Sequence, residues 1–346
     1  MMAIRLGVIG CGYGRSVLVP AFRVDPRSEI VSISAPSKER VEHAASELGI
    51  QRALVDWHVL VEDKSVDAII VATPPDVQPE IVLTALRQGK AVFAEKPMAL
   101  NLAQAEDMTS CALSSHRPHM IDFHLTEITS WKQARQILMD GGIGFVQYVA
   151  VRWYVESYTN RMRLANWKSS ASRGGGTLFN FVSHSLHYLE WFLGPITELS
   201  SRLFRVPNDS RNGDTSVDMA LSFRSGAAGS LSVNAAAYLG TGHRIEFYGE
   251  DGALALENTT VDYVKGFRLL HGRRPDKELQ VVQTRDPEEE VYSDGRVLTA
   301  SRLARQFLDW VERDVPSRPD FRDGLRVQQL LDAALRSHHN RCQIDI

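Results

Sequence analysis

Glu95-Lys96-Pro97 closes the second of two short apolar runs, 68–72 and 91–94, that flank one helix-like segment. The first run closes in Thr73-Pro74-Pro75. A strand–helix–strand unit brings both strand ends to the same edge of a parallel sheet. Ligands bind at that edge in open α/β sheets. A lysine there, followed by a rigid proline, has its ammonium aimed into a cleft, where it can polarise a carbonyl or hold a hydroxyl. Lys96 is therefore the first candidate catalytic residue.

A second set lies in the distal half. Gly174-Gly175-Gly176 precedes a strongly helical run, 177–193. At about 100° per residue, Leu178, Phe179, Val182, Leu186, Leu189 and Leu193 fall on one broad face. Thr177, Asn180, Ser183, His184, His187 and Glu190 fall opposite. Asn180 and His184 are i, i+4, and His184 and His187 are i, i+3, so their side chains converge. A solvated face usually carries Lys and Glu; Asn, His and His point to a site. The glycine triplet allows another chain or a ligand to approach closely. No carboxylate or thiolate accompanies the two histidines, so no metal is expected.

The third set is a glycine turn. Gly10-Cys11-Gly12-Tyr13-Gly14 follows the first strand and precedes the first helix, where a dinucleotide-binding turn belongs. Glycines let the backbone approach a pyrophosphate, and the helix N-terminus offers free N–H groups. The third glycine of G-x-G-x-x-G is replaced by Arg15. Either the turn is one residue tighter and Gly14 serves, or Arg15 turns its guanidinium to the phosphates. The end of the second strand, Ser34-Ala35-Pro36-Ser37, lacks the acid that would bind the ribose of NAD. Ser37, Lys38 and Arg40 could instead accept a 2′-phosphate, so NADP is the expected cofactor and NAD the alternative.

These sets need a scaffold. Expected strands at 4–9, 30–34, 68–72 and 91–94 alternate with helices at 16–24, 38–48, 77–88 and 102–113, the second and third closed by Gly49 and Gly89. That alternation implies a doubly wound parallel sheet. After about residue 123 the rhythm changes. A helix at 131–140 precedes strands at 145–156, 196–206, 215–224, 228–237 and 244–248, with weaker ones at 253–256 and 261–270. Residues 272–296 read as a charged, mobile loop, and helices at 298–313 and 324–337 close the chain. The expected architecture is α/β: a Rossmann domain over 1–123, then an α+β domain over 124–346 with a large, mostly antiparallel open sheet.

Composition sets the class. Hydrophobic residues at 44% and charged residues at 23% fit a globular chain. A net charge of −3 gives no general reason to expect nucleic acid or an anionic membrane as partner. Three cysteines, far apart and odd in number, fit a reducing cytoplasm. No run approaches the roughly 20 apolar residues a membrane span needs.

Together, GVIGCG, VDAIIVATPPD, GKAVFAEKP and GGGTLFNFVSHSLHYLEWFLG resemble the Gfo/Idh/MocA oxidoreductases over nearly the whole chain. The resemblance implies oxidation or reduction of a sugar, cyclitol or related polyol with NAD or NADP, and a homodimer or homotetramer packed through the C-terminal sheet. It makes Lys96 the lysine beside nicotinamide and substrate, and His184 the histidine of a D-x-x-x-H pattern. It gives Tyr13, Thr73, Pro74, Pro75, Gln78 and Glu95 to the cofactor site. Asn180 stands where that pattern has aspartate, His187 where a second aspartate is expected, Gln78 where a histidine often follows ATPP. An arginine expected after Phe123 is missing, with Thr126 near its place. His184 is then the principal acid/base and Lys96 the oxygen clamp, with Asn180 and His187 binding substrate. Tyr154, Tyr158, Arg163, Trp167 and Lys168 are candidate pocket residues by position. Two other functions occur on this fold: redox-neutral glycoside cleavage with held NAD, and nucleotide sensing without catalysis.

Overall fold

The computed structural model describes residues 3–207 and 209–346. One compact unit comprises the chain up to His124 together with Arg296–Gln328; the other comprises Leu125–Gly295 with Gln329–Ile346.

In the first unit six strands, β1 (Ile4–Ile9), β2 (Ser28–Ser34), β3 (Arg52–Leu54), β4 (Ala68–Val71), β5 (Ala91–Ala94) and β6 (His119–Ile121), form one sheet. Every pairing is parallel, in the order β3-β2-β1-β4-β5-β6. The order reverses between β1 and β4, which makes that crevice the switch point of a doubly wound fold. Helices α1 (Val19–Arg23), α2 (Lys38–Leu48), α3 (Trp57–Glu62), α4 (Gln78–Arg87) and α5 (Leu102–Ser115) connect the strands. β4 and β5 are wholly buried, as apolar runs in a covered parallel sheet must be. Ser37 caps α2 by accepting from the Arg40 N–H, and Gly49 closes that helix at φ +62. Three residues of β3 and a short α3 escape the sequence pattern because each is too short to show a period.

The second unit contains α6 (Thr129–Met139), β7 (Val146–Tyr154), α7 (Tyr158–Arg161), α8 (Ser183–Leu193), β8 (Ile196–Phe204), β9 (Ser216–Phe223), β10 (Ala228–Asn234), β11 (Gly242–Gly249), β12 (Gly252–Asn258), β13 (Arg268–Arg273) and β14 (Gln280–Val282). Two long helices follow, α9 (Gly295–Arg313) and α10 (Phe321–Asn340), then β15 (Ile344–Asp345). Among the described residues the sheet has nine strands, in the order β14-β13-β12-β11-β7-β10-β9-β8-β15. Only the central β7–β10 pair is parallel. Val149, Val151 and Trp153 of β7 are buried and alternate with more exposed residues, so one face carries the core. There His243 stacks on Trp153 at 4.3 Å and shares a 3.0 Å hydrogen bond with the Tyr188 hydroxyl.

Two expectations need correction. The segment 272–296 is not all loop: β14 lies within it and pairs antiparallel with β13. The second domain also does not keep everything after residue 123. Phe307 of α9 packs edge-on against Phe22 and Phe93, and Arg27 pairs with Asp309 and Glu312. The apolar face of α9 completes the core of the first unit, which a cut by sequence order cannot show.

Candidate functional site

In the first unit the candidate residues gather at the switch point. Gly10, at φ +112, turns so tightly that a Cβ there would lie 2.2 Å from the Ala72 carbonyl oxygen. Only glycine fits. Around Gly12 a Cβ would meet nothing within 4 Å, which leaves a cradle open at the end of β1. Gly14 is buried, its Cβ position 3.1 Å from Val8 and 3.2 Å from Ala72. It performs the close helix–strand packing expected of the third glycine. The irregular spacing is absorbed by a π turn over Gly14–Leu18, in which the Val19 N–H reaches back to the Gly14 carbonyl. Arg15 pairs instead with Glu47 at 3.1 Å. Tyr13 lies beneath the Arg296 guanidinium, 5.7 Å from ring centre.

At the end of β2, Ser37 spends its hydroxyl oxygen on the α2 cap. Lys38 is exposed and pairs loosely with Glu42 at 3.9 Å, and Arg40 is exposed. Thr73 and Pro74 are half-buried beyond β4, and Pro75 is buried. Gln78 is fully buried, and its Nε2 donates to the carbonyls of Glu95 at 2.6 Å, Pro97 at 3.2 Å and Met98 at 3.1 Å. Its side chain thus braces the loop that carries Lys96, a role its position after ATPP does not reveal.

In the second unit the candidate residues gather around α8. The helix also opens on a π turn, Leu178–Val182, closed by the Ser183 N–H to the Leu178 carbonyl. The even 100° plot therefore breaks down between Asn180 and His184. The polar stripe is not a solvated face: Thr177, Ser183 and His184 are buried. Asn180 is half-buried, and its Nδ2 donates to the Gly176 carbonyl at 2.8 Å. His187 is half-buried on the next turn.

The chain itself fills the glycine triplet. A Cβ on Gly175 would lie 2.2 Å from the Trp167 carbonyl oxygen, and one on Gly176 2.1 Å from Asp214 Oδ1. Asp214 Oδ2 accepts from the Leu178 N–H at 2.8 Å and its carbonyl from the Thr177 N–H at 2.9 Å. Burial pushes its carboxyl up to about 6. Sequence reasoning missed this residue, because its partners are 36 and 37 positions away.

Of the pocket candidates, Trp167 and Lys168 stand beside the triplet, where the Lys168 carbonyl accepts from the Gly176 N–H at 2.9 Å. Tyr154 does not join them. Trp153 points to the α8 side, 5.1 Å from Phe181, so the pleat sends Tyr154 to the opposite face. There its hydroxyl meets Ser232 at 2.8 Å, which donates to Asp218. Tyr158 and Arg163 are exposed.

Residues 4–123 match the oxidoreductase family with NAD-binding Rossmann fold, and residues 135–346 match the C-terminal alpha/beta domain of the same family. The chain belongs to the Gfo/Idh/MocA oxidoreductases. Among family relatives, inositol 2-dehydrogenase of Rhizobium meliloti is 24% identical over the full length of both chains. An oxidoreductase of Synechocystis is 27% identical over 98% of this chain and 95% of its own. Levoglucosan dehydrogenase, solved with NADH and L-sorbose, superposes with a TM-score of 0.90 at 20% identity over 100% of this chain and 99% of its own. That likeness shows the fold: a Rossmann sheet followed by a mostly antiparallel one. No helix among the described residues is long and apolar enough to cross a membrane.

Proposed function

We propose that this chain transfers hydride between a nicotinamide dinucleotide and a carbinol or ketone carbon of a sugar, cyclitol or related polyol. The open cradle at Gly12, set at the switch point beside Gly10 and Gly14, carries the reading. Such a cradle suits a pyrophosphate, and the helix N-terminus behind it adds a partial positive charge. When bound, the nicotinamide supplies the hydride acceptor or donor. The chain's own residues do the rest. Lys96 holds the substrate oxygen with its ammonium. His184 takes the hydroxyl proton in oxidation and returns one in reduction. Asn180 is neutral and turned onto Gly176, so it orients neighbours rather than stabilising an imidazolium as a carboxylate would. His187 binds a substrate hydroxyl.

Three finer assignments belong to the same reading. NADP is preferred over NAD, supported by the missing acid at the end of β2 and by the exposed Lys38 and Arg40. The protein is a homo-oligomer through the open sheet face, supported by Tyr148 and Tyr248, a cross-strand pair left exposed there. It works in the cytoplasm, supported by three free cysteines.

Fluorescence titration with NADPH and NADH, followed by a polyol screen, tests the reading. Lys96→Met and His184→Ala should each lower kcat by about 10²–10⁴ while coenzyme still binds. Turnover that survives both substitutions sinks the assignment, and binding of neither coenzyme sinks the function.

A further inference from the structure

α9 reaches the first unit from the far end of the chain, and contacts within that unit fix how it lies. Arg27 stands where the strands begin: its carbonyl accepts from the Ile4 N–H at 2.7 Å, and the next residue opens β2. Its guanidinium pairs with Asp309 at 2.7 Å and Glu312 at 2.8 Å, which holds the C-terminal end of α9 at that edge. From Asp309 back to Arg296 the helix runs about 20 Å, the length of a six-residue strand such as β1. Its first turn therefore comes out at the opposite edge, where β1 ends. There the Arg296 guanidinium carbon lies 5.7 Å from the centre of the Tyr13 ring.

Tyr13 sits between Gly12, whose surroundings are open, and the buried Gly14. The helix alone does not account for an arginine at this point. The first turn of α9 contains no acid, and a cation there works against the helix dipole. Stacking engages the flat face of a guanidinium, while its N–H donors lie in the plane and point past the ring. A stacked arginine can thus still offer its fork to a phosphate. Arg15, the cation that the turn itself carries, pairs instead with Glu47.

We propose that Arg296 is a coenzyme-binding residue: held on the Tyr13 ring, it presents its guanidinium to the pyrophosphate of the dinucleotide at the Gly10–Gly14 turn. The proposal rests on the dinucleotide reading given above. It makes the phosphate site a joint product of the first and last parts of the chain, with α9 supplying the charge that Arg15 does not.

Titration of the full chain with NADH, NADPH and ADP-ribose over a salt series tests it. In Arg296→Gln the dissociation constants of all three should rise roughly tenfold or more at low salt, and the difference from wild type should shrink as salt screens the charge. Arg296→Lys should fall between the two, because it keeps the charge and loses the fork. A folded Arg296→Gln that binds all three within about twofold of wild type overturns the proposal. A loss that is the same at every salt concentration overturns it too, since that marks a packing effect on Tyr13. If the variants do not fold, the wild type still decides: ADP-ribose should protect Arg296 from an arginine-specific dicarbonyl reagent, read by mass spectrometry of its peptide, and unprotected labelling overturns the proposal. Wild-type protein that binds none of the three ligands sinks the dinucleotide reading and this proposal with it, whereas wild-type binding matched by Arg296→Gln sinks this proposal alone.

Discussion

Two glycine-rich turns in this chain look alike in sequence and do opposite things. Each leads into a π turn and then an α-helix, over Gly14–Leu18 and Leu178–Val182. At the first, the space around Gly12 is open. At the second, Trp167, Lys168, Ser170 and Asp214 fill the space around Gly175 and Gly176. A run of glycines states that something comes close to the backbone; it does not state whether that is ligand or protein. On the function proposed above the open turn receives a phosphate, whereas the filled turn fixes a helix. π turns recur at functional sites, and here one seats a glycine while the other sets the phase of α8.

The largest test of this contrast is Gly176→Ala. The new methyl would sit 2.1 Å from Asp214 Oδ1, at a φ of +102 that L side chains rarely adopt. A loss of about 3 kcal/mol or more in urea unfolding is expected, with coenzyme affinity in the folded fraction unchanged. Gly12→Val should do the reverse. Its side chain enters open space, so stability should stay within about 0.5 kcal/mol, while dinucleotide affinity falls roughly tenfold or more as the cradle fills. If Gly12→Val binds coenzyme like the wild type, the open turn is not a phosphate site.

Asp214 gives a pH-dependent version. Its folded value near 6 lies above the unfolded value of 3.8. Between those limits the folded state holds a proton that the unfolded state has lost. The associated stability is full below 3.8 and disappears as pH rises through about 6. A shift of roughly two units corresponds to about 3 kcal/mol. Urea unfolding should show the wild type losing about that much relative to Asp214→Asn between acidic and neutral pH. A constant difference between the two proteins would mean that the carboxyl is not buried as described.

The same contrast explains what the sequence made legible. The strand–helix alternation of the first sheet, the glycines that close α2 and α4, Gly49 and Gly89, and the mostly antiparallel second sheet all follow from periodicity and glycine placement. The packing of α9 on the first unit does not, because Phe22 and Phe307 are joined by no local pattern. Nor do Gln78 and Asp214 reveal themselves. Each acts on backbone far away in the chain, through an amide or carboxylate that composition cannot direct. Position in the sequence sets Tyr154 among the pocket candidates, but the pleat of β7 decides its side.

The smallest effect concerns the one residue on which the glycine turn could be read in two ways. If Gly14 completes the turn, Arg15 is only a helix-surface charge beside Glu47. Their side chains are 38% and 52% exposed. Such a pair contributes about 0–1 kcal/mol, so Arg15→Ala should shift stability by less than about 1 kcal/mol and leave coenzyme affinity within about twofold. If Arg15 serves the phosphates instead, affinity should drop by roughly tenfold, and the drop should shrink as salt screens the charge. A salt series of NADPH and NADH titrations on this one variant distinguishes the two. The close packing of Gly14 against Val8 and Ala72 favours the first outcome, because the backbone there is already held without any help from the arginine.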